Sequence, residues 1–75
     1  MATDLVGPVA IVGGTGYLGL ALARRLHRAG VPVLIGSRDA VRAQNAAESA
    51  GFGRDAGREN AVAVREAAAV VITVP

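Results

Sequence analysis

Residues 9–19 read Val-Ala-Ile-Val-Gly-Gly-Thr-Gly-Tyr-Leu-Gly, an apolar run that leads into a glycine-rich turn and then into a leucine-rich segment. Gly14, Gly16 and Gly19 have the spacing Gly-x-Gly-x-x-Gly. We expect Gly14 to permit a sharp turn out of a strand, Gly16 to let a pyrophosphate approach the backbone, and Gly19 to let a helix pack closely. Backbone N–H groups at the start of that helix would then face the anion. The stretch therefore predicts a dinucleotide-binding turn, with a purely structural turn as the alternative.

Apolar runs and helical patterns alternate along the rest of the chain. The predicted strands are residues 9–12, residues 31–36 and residues 70–74. A third strand of such a unit belongs within 52–58, but this stretch has no apolar run, so whether it forms is left open; if it does, it is short and at an edge. The predicted helices are residues 17–29, a segment from Ser37 or Asp39 to Ala50, and a segment capped by Asn60 that runs to Ala68. This alternation predicts an α/β fold, a Rossmann-type doubly wound parallel sheet with strand order 3-2-1-4. The ligand crevice would lie at the carboxyl ends of strands 1 and 4.

Residues at helical spacing predict which side of each helix faces the sheet. The predicted inner faces are Leu18, Leu22, Leu26 and Ala29 in the first helix, Ala43, Ala46, Ala47 and Ala50 in the second, and Ala61, Val64 and Ala68 in the third.

The length and residue types suggest part of a larger protein. A chain of 75 residues is about half of a dinucleotide-binding domain. We therefore expect residues 1–75 to be the N-terminal half of an NAD(P)-binding Rossmann domain, with the rest of the sheet and a substrate or dimerisation region outside it. The chain has no cysteine and one histidine, His27, so we expect neither a disulfide nor a metal site.

The charged residues argue against two classes of partner. The net charge is +2 and all basic residues are arginines, but these are scattered and not interleaved with aromatic residues, so we expect no nucleic-acid binding. The sequence has no signal-peptide pattern and no apolar run near the length of a membrane span, so we expect no membrane association and a cytoplasmic protein.

The end of the second strand bears on the choice of dinucleotide. NAD sites usually place an acid there, about 20 residues past the glycines, to bind ribose hydroxyls. This chain has Ser37 and Arg38 instead. A hydroxyl and a guanidinium both bind phosphate, so the pair favours NADP. The alternative is that Ser37 caps the next helix and Arg38 is solvated, whereas Asp39 is expected to face the helix N-terminus.

Three segments together resemble the NADPH-dependent reductase family that uses the deazaflavin coenzyme F420: residues 13–19, Ile-Gly-Ser-Arg-Asp at 35–39, and Val-Val-Ile-Thr-Val-Pro at 70–75. The resemblance departs from the family pattern at Ala69 and in the weak third strand. It implies reversible hydride transfer between NADP and the deazaflavin by the full-length protein, which could be a homo-oligomer, and no activity of the 75 residues alone. The resemblance also implies a set of cofactor-binding residues and no catalytic or metal-binding residue. The pyrophosphate turn would consist of Gly14, Thr15, Gly16, Tyr17, Leu18 and Gly19. The 2′-phosphate would be bound by Thr15, Ser37 and Arg38, and the nicotinamide side would be bordered by Thr73, Val74 and Pro75.

Three other functions fit the same glycines. An atypical short-chain dehydrogenase or epimerase would need an Asp at the end of the third strand, for which Asp55 is a poor candidate, and a later Tyr-x-x-x-Lys. A non-catalytic NADP-binding module could sense redox state. A truncated, inactive product is the last alternative.

Overall fold

The computed structural model describes residues 7–13 and 16–73 of the chain. Strands and helices alternate along it, as the sequence predicts. The elements are β1 (Val9–Val12), α1 (Tyr17–Arg28), β2 (Val33–Ser37), α2 (Ala40–Ser49), a single 3₁₀ turn (Arg54–Ala56), β3 (Gly57–Glu59), α3 (Asn60–Glu66) and β4 (Ala69–Ile72). The predicted positions Gly14, Thr15, Val74 and Pro75 lie outside the described residues.

The strands form one parallel sheet with the order β3-β2-β1-β4, which confirms the predicted topology. In the β1–β2 pair Val12 lies opposite Gly36, and in the β1–β4 pair Val12 lies opposite Ile72. β3 does form, as a three-residue edge strand whose Gly57 pairs with Ile35. The carboxyl ends of β1, β2 and β4 therefore meet at one edge, where the glycine-rich turn begins.

Helices cover both faces of the sheet, because neighbouring residues of a strand point to opposite sides. One core lies between the sheet and α1 and α2, and its buried members are Val9, Ile11, Ala23, Ile35 and Ala47. A smaller core lies under α3, with the buried residues Ala10, Leu34 and Ala63.

The predicted inner face of α1 was wrong at two positions. Gly19 and Ala23 are the buried residues of this helix, whereas Leu18 is 66% exposed and Ala29, which follows the helix, is also exposed. Leu22 and Leu26 are partly buried against the larger core. Helix α1 has its smallest residues toward the sheet, because only they allow its backbone to lie close to the strands. The positions of the large apolar residues therefore did not identify the residues that contact the sheet.

Helix α2 matches its prediction. Ala43 and Ala47 are fully buried, and Ala46 and Ala50 are partly buried. Of the two predicted capping residues, Asp39 is the one that caps it: the Asp39 carboxylate accepts a hydrogen bond from the Val41 N–H at 2.9 Å.

Helix α3 begins one residue earlier than predicted. Its N-cap is Glu59, whose carboxylate accepts from the Ala61 N–H at 3.1 Å, so Asn60 is the first helical residue and not the cap. Ala63 is buried, whereas the predicted inner residues Ala61, Val64 and Ala68 are exposed. Because β3 extends to Glu59, helix α3 follows the strand directly and no separate capping residue lies between them.

Strand β4 begins one residue before the predicted strand of residues 70–74. It spans Ala69–Ile72, and Val70 and Ile72 are 39% and 71% exposed. Ala69 and Val71 pack on the larger core. Only one face of β4 is therefore covered within the described part of the chain.

Candidate dinucleotide-binding site

The residue that turns the chain out of β1 is Gly13. Its φ is +76°, a conformation that favours glycine, and its N–H donates to the Gly36 carbonyl of β2 at 3.1 Å. A Cβ at Gly13 would lie 2.5 Å from the Thr73 carbonyl oxygen. Gly14, to which the sharp turn was assigned from the sequence, lies outside the described residues. Gly13 was not singled out, although it is the first glycine after the apolar run.

Helix α1 begins at Gly16 with an open N-terminus. Gly16 is the N-cap, with φ −80° and ψ 168°, and no side chain among the described residues caps the helix. The first turn contains no acidic residue. A Cβ built on Gly16 would meet no atom of the described chain within 4 Å. Since the first N–H groups of a helix lack partners inside it, this end of α1 presents donors and a positive dipole end that no described side chain occupies.

The residues just after Gly16 contribute their backbone to this end. The side chain of Tyr17 is 92% exposed and that of Leu18 is 66% exposed. Gly19 is buried, which lets the start of α1 lie close to the sheet. The N-termini of α2 and α3 differ from this one, because the carboxylates of Asp39 and Glu59 already occupy them.

At the end of β2 a buried hydroxyl residue is followed by an exposed cation. Ser37 is 6% exposed and is the last residue of the strand. Arg38 is exposed and forms no hydrogen bond or ion pair within the described part of the chain. Because Val12 pairs with Gly36, Ser37 and Arg38 follow β2 beside the turn that follows β1. Asp39 has its carboxylate on the N-terminus of α2, as predicted.

At the end of β4, Thr73 contacts the beginning of the glycine-rich turn. Its N–H donates to the Val12 carbonyl at 3.0 Å. Its hydroxyl Oγ1 lies 3.2 Å from the carbonyl oxygens of both Val12 and Gly13. The structure thus brings Thr73, Gly13 and the start of α1 to one edge of the sheet, next to the end of β2.

Two other arginines are engaged in contacts with neighbouring elements of the fold. Arg54 donates to Asn45 at 2.6 Å and forms an ion pair with Glu48 at 3.5 Å. Arg58 forms an ion pair with Glu66 at 2.8 Å and donates to the Asp55 carbonyl. These contacts join β3 and the preceding 3₁₀ turn to α2 and α3.

The described residues contain neither a cluster of three or more histidine, aspartate and glutamate side chains suited to a metal ion nor a helix with the length and apolar character to cross a membrane.

Comparison with known proteins gives a consistent match. A family model described as "NADP oxidoreductase coenzyme F420-dependent" matches residues 8–75. The chain is 47% identical over 73 residues to a protein named F420-dependent NADP reductase from Methanothermobacter marburgensis, an alignment that covers 89% of the chain and 33% of the relative. It is 46% identical over 81 aligned positions to a protein of the same name from Methanothermobacter thermautotrophicus, covering 100% of the chain and 35% of the relative. The chain therefore spans about a third of the length of these relatives.

Proposed function

Because the chain belongs to the family of coenzyme F420-dependent NADP oxidoreductases, we propose that it is the NADP(H)-binding segment of an oxidoreductase that transfers hydride between NADPH and the deazaflavin coenzyme F420. The observation that carries this proposal is the N-terminus of α1 at Gly16, which no side chain of the described residues caps, within a chain of this family.

The residues at this end of α1 fit a pyrophosphate. Gly14 to Leu18 would hold it through backbone N–H groups, with Gly19 keeping the helix close to the sheet. No described residue would contact a Cβ on Gly16, and no acidic side chain lies in the first turn of α1 to repel an anion. Each charge-assisted hydrogen bond from a backbone N–H is stronger than a bond between neutral groups.

The 2′-phosphate of NADP would lie against Ser37 and Arg38, with Thr15 near it. Arg38 supports this assignment because it is exposed and directly follows β2, the strand that pairs with β1. Asp39 is the nearest acid in the sequence, and its carboxylate accepts from the Val41 N–H. A negative charge held at a helix N-terminus is partly neutralised by the dipole, so it opposes a neighbouring phosphate less.

The nicotinamide half of the cofactor would border Thr73, Val74 and Pro75. A nicotinamide and a deazaflavin exchange a hydride directly, so the chemistry belongs to the bound groups and this segment needs no acid or base. Its own residues would bind the cofactor and hold it in a productive position. The reaction itself is proposed for the whole protein, since the relatives extend well beyond this segment.

The same observations weigh on the alternatives. The family match favours an F420-dependent reductase over a short-chain dehydrogenase, and Asp55 lies in the 3₁₀ turn before β3 and not at the end of that strand. The absence of nucleic-acid binding, the cytoplasmic location and a homo-oligomeric full-length protein stay predictions.

The choice of cofactor is tested by reversing the charge of Arg38. We expect the unmodified chain to bind NADPH more tightly than NADH. Arg38→Asp should reduce that preference by about 10- to 100-fold, because a hydrogen bond to a charged group contributes about 1.5–3 kcal/mol. The measurement is the Kd of each nucleotide by calorimetry or fluorescence.

Arg24→Asp is the matched control, since it reverses the same charge at an exposed position of α1. Equal affinities of the unmodified chain for NADPH and NADH, or an equal loss in both variants, would contradict the assignment.

The hydride acceptor is tested in a chimera in which the chain replaces the matching segment of the M. marburgensis relative. NADPH-dependent reduction of coenzyme F420 by the folded chimera is expected. A folded chimera that binds NADPH but reduces no F420 would instead favour the binding-module alternative.

A further inference from the structure

Thr73 ties the end of β4 to the start of the glycine-rich turn across 60 residues of sequence. Its backbone N–H and its hydroxyl both reach the end of β1: the N–H donates to Val12, and Oγ1 lies 3.2 Å from the carbonyl oxygens of Val12 and Gly13. A threonine hydroxyl has one proton. That proton is therefore shared between these two carbonyl groups.

The turn is held from its other side by β2. The Gly13 N–H donates to the Gly36 carbonyl at 3.1 Å. Gly13 is thus bonded through its N–H to one neighbouring strand and through its carbonyl to the other. Its backbone also approaches Thr73 so closely that a Cβ would lie 2.5 Å from the Thr73 carbonyl oxygen.

The position of Gly13 affects the direction in which the next residues leave the sheet. Only residues 14 and 15 separate it from Gly16, the N-cap of α1. A rotation of the Gly13 peptide would therefore move the N–H groups at the start of α1 relative to the end of β2.

We propose that Thr73 is a positioning residue whose hydroxyl, bonded to the Val12 and Gly13 carbonyls, holds the glycine-rich turn in the orientation that binds the cofactor pyrophosphate. This inference rests on the proposed NADP(H) function. It gives the Thr73 side chain a role at the pyrophosphate turn, through Gly13, that is separate from its location beside the nicotinamide half.

The test compares Thr73→Val, which keeps the side-chain shape but lacks the hydroxyl, with Thr73→Ser, which retains it. The ligands are NADPH, NADH and 2′-phospho-ADP-ribose, which lacks the nicotinamide. Thr73→Val is expected to weaken all three by the same factor, about three- to tenfold for one neutral hydrogen bond. Thr73→Ser should bind within about twofold of the unmodified chain, and the NADPH-to-NADH ratio should not change in either variant.

Ser49→Ala is the control for the loss of a hydroxyl, because Ser49 is exposed at the end of α2. Thermal unfolding checks that each variant is folded. Thr73→Val is also made in the chimera with the M. marburgensis relative, where the affinities for the same ligands are measured again. Hydrogen exchange of the Gly13 amide gives a readout without ligand, and it should be faster in Thr73→Val.

Unchanged affinities in folded Thr73→Val would overturn the inference. A loss for NADPH and NADH but not for 2′-phospho-ADP-ribose would also overturn it, since that pattern means direct contact with the nicotinamide. If the unmodified chain binds none of the three ligands, the proposed function fails and the inference that rests on it fails too, whereas normal binding by the unmodified chain with unchanged affinities in Thr73→Val overturns the inference alone.

Discussion

At the scale of single residues, the glycines of the turn are required for different physical reasons. Gly13 has φ +76° and no room for a Cβ, so its requirement is conformational and steric. Gly16 has an ordinary φ of −80° and open space where its Cβ would be. No atom of the described residues lies where a Gly16 Cβ would be, which fits the proposed close approach of a pyrophosphate to this residue.

We therefore predict that Gly16→Ala mainly lowers NADPH affinity, whereas Gly13→Ala mainly lowers the stability of the fold. Gly16→Ala should lower NADPH affinity at least about tenfold by filling the approach of the pyrophosphate, and cost at most about 1 kcal/mol of stability as a poorer N-cap. Gly13→Ala should cost about 2 kcal/mol or more, because it adds left-handed strain to a steric overlap.

Urea unfolding and nucleotide titration of both variants measure these effects. If Gly16→Ala binds NADPH as tightly as the unmodified chain, the pyrophosphate does not bind at the start of α1.

At the scale of elements, β3 forms with almost no apolar content because its backbone packs directly on α2. A Cβ at Gly57 would lie 2.4 Å from the Gln44 backbone nitrogen. The ion pair of Arg58 with Glu66 adds a contact to α3. The edge strand is thus held by close backbone contact and polar side chains, and less by burial of large residues.

Gly57→Ala should therefore destabilise the chain by about 1–3 kcal/mol through overpacking. The φ of Gly57 is −89°, which alanine adopts without strain, so the effect is steric. Gly7→Ala is the matched control, because its Cβ would make an ordinary 3.6 Å contact with Ala68.

The free energy of unfolding in urea measures the difference, and hydrogen exchange should show the largest loss of protection in β3. Equal stability of the two variants would mean that α2 moves away from β3 at little cost.

At the scale of the whole molecule, one region of the sheet is incompletely covered. Within the described residues β4 pairs only with β1, and Val70 and Ile72 are exposed on its uncovered face. A strand edge with exposed apolar side chains favours association with other chains.

We predict that the isolated chain is marginally stable or associates as its concentration rises, and that NADPH stabilises it. Ligand at 100 times its Kd adds about 2.7 kcal/mol, and NADH at the same concentration should add less. Thermal unfolding with sedimentation analysis tests this. A cooperative melt of a monomer without ligand would argue against marginal stability, and equal shifts with both nucleotides would argue against NADP preference.

Much of this arrangement follows from local sequence pattern. The alternation of apolar strands and helices and the order of the sheet were predicted correctly, because strand and helix periodicity are properties of neighbouring residues. Whether the third strand forms was left open, and the structure shows that it does, at the edge of the sheet. Asp39 was placed correctly at the N-terminus of α2, because helix capping is also local. The predicted face of α1 failed at Leu18, where the smaller Gly19 and Ala23 are the buried residues. In α3 Ala63 is buried whereas Ala61 and Val64 are exposed, a difference that side-chain size does not explain.

The sequence by itself determined that a glycine-rich turn joins a buried strand to a helix, and that Ser37 and Arg38 follow the second strand. Only the tertiary structure decided that Gly13 has no room for a Cβ beside Thr73, and that the Thr73 hydroxyl bonds to the carbonyl of Gly13. The physical reason is distance along the chain: spacing within one element is encoded locally, whereas contacts between backbones 60 residues apart exist only after the parallel strands have paired.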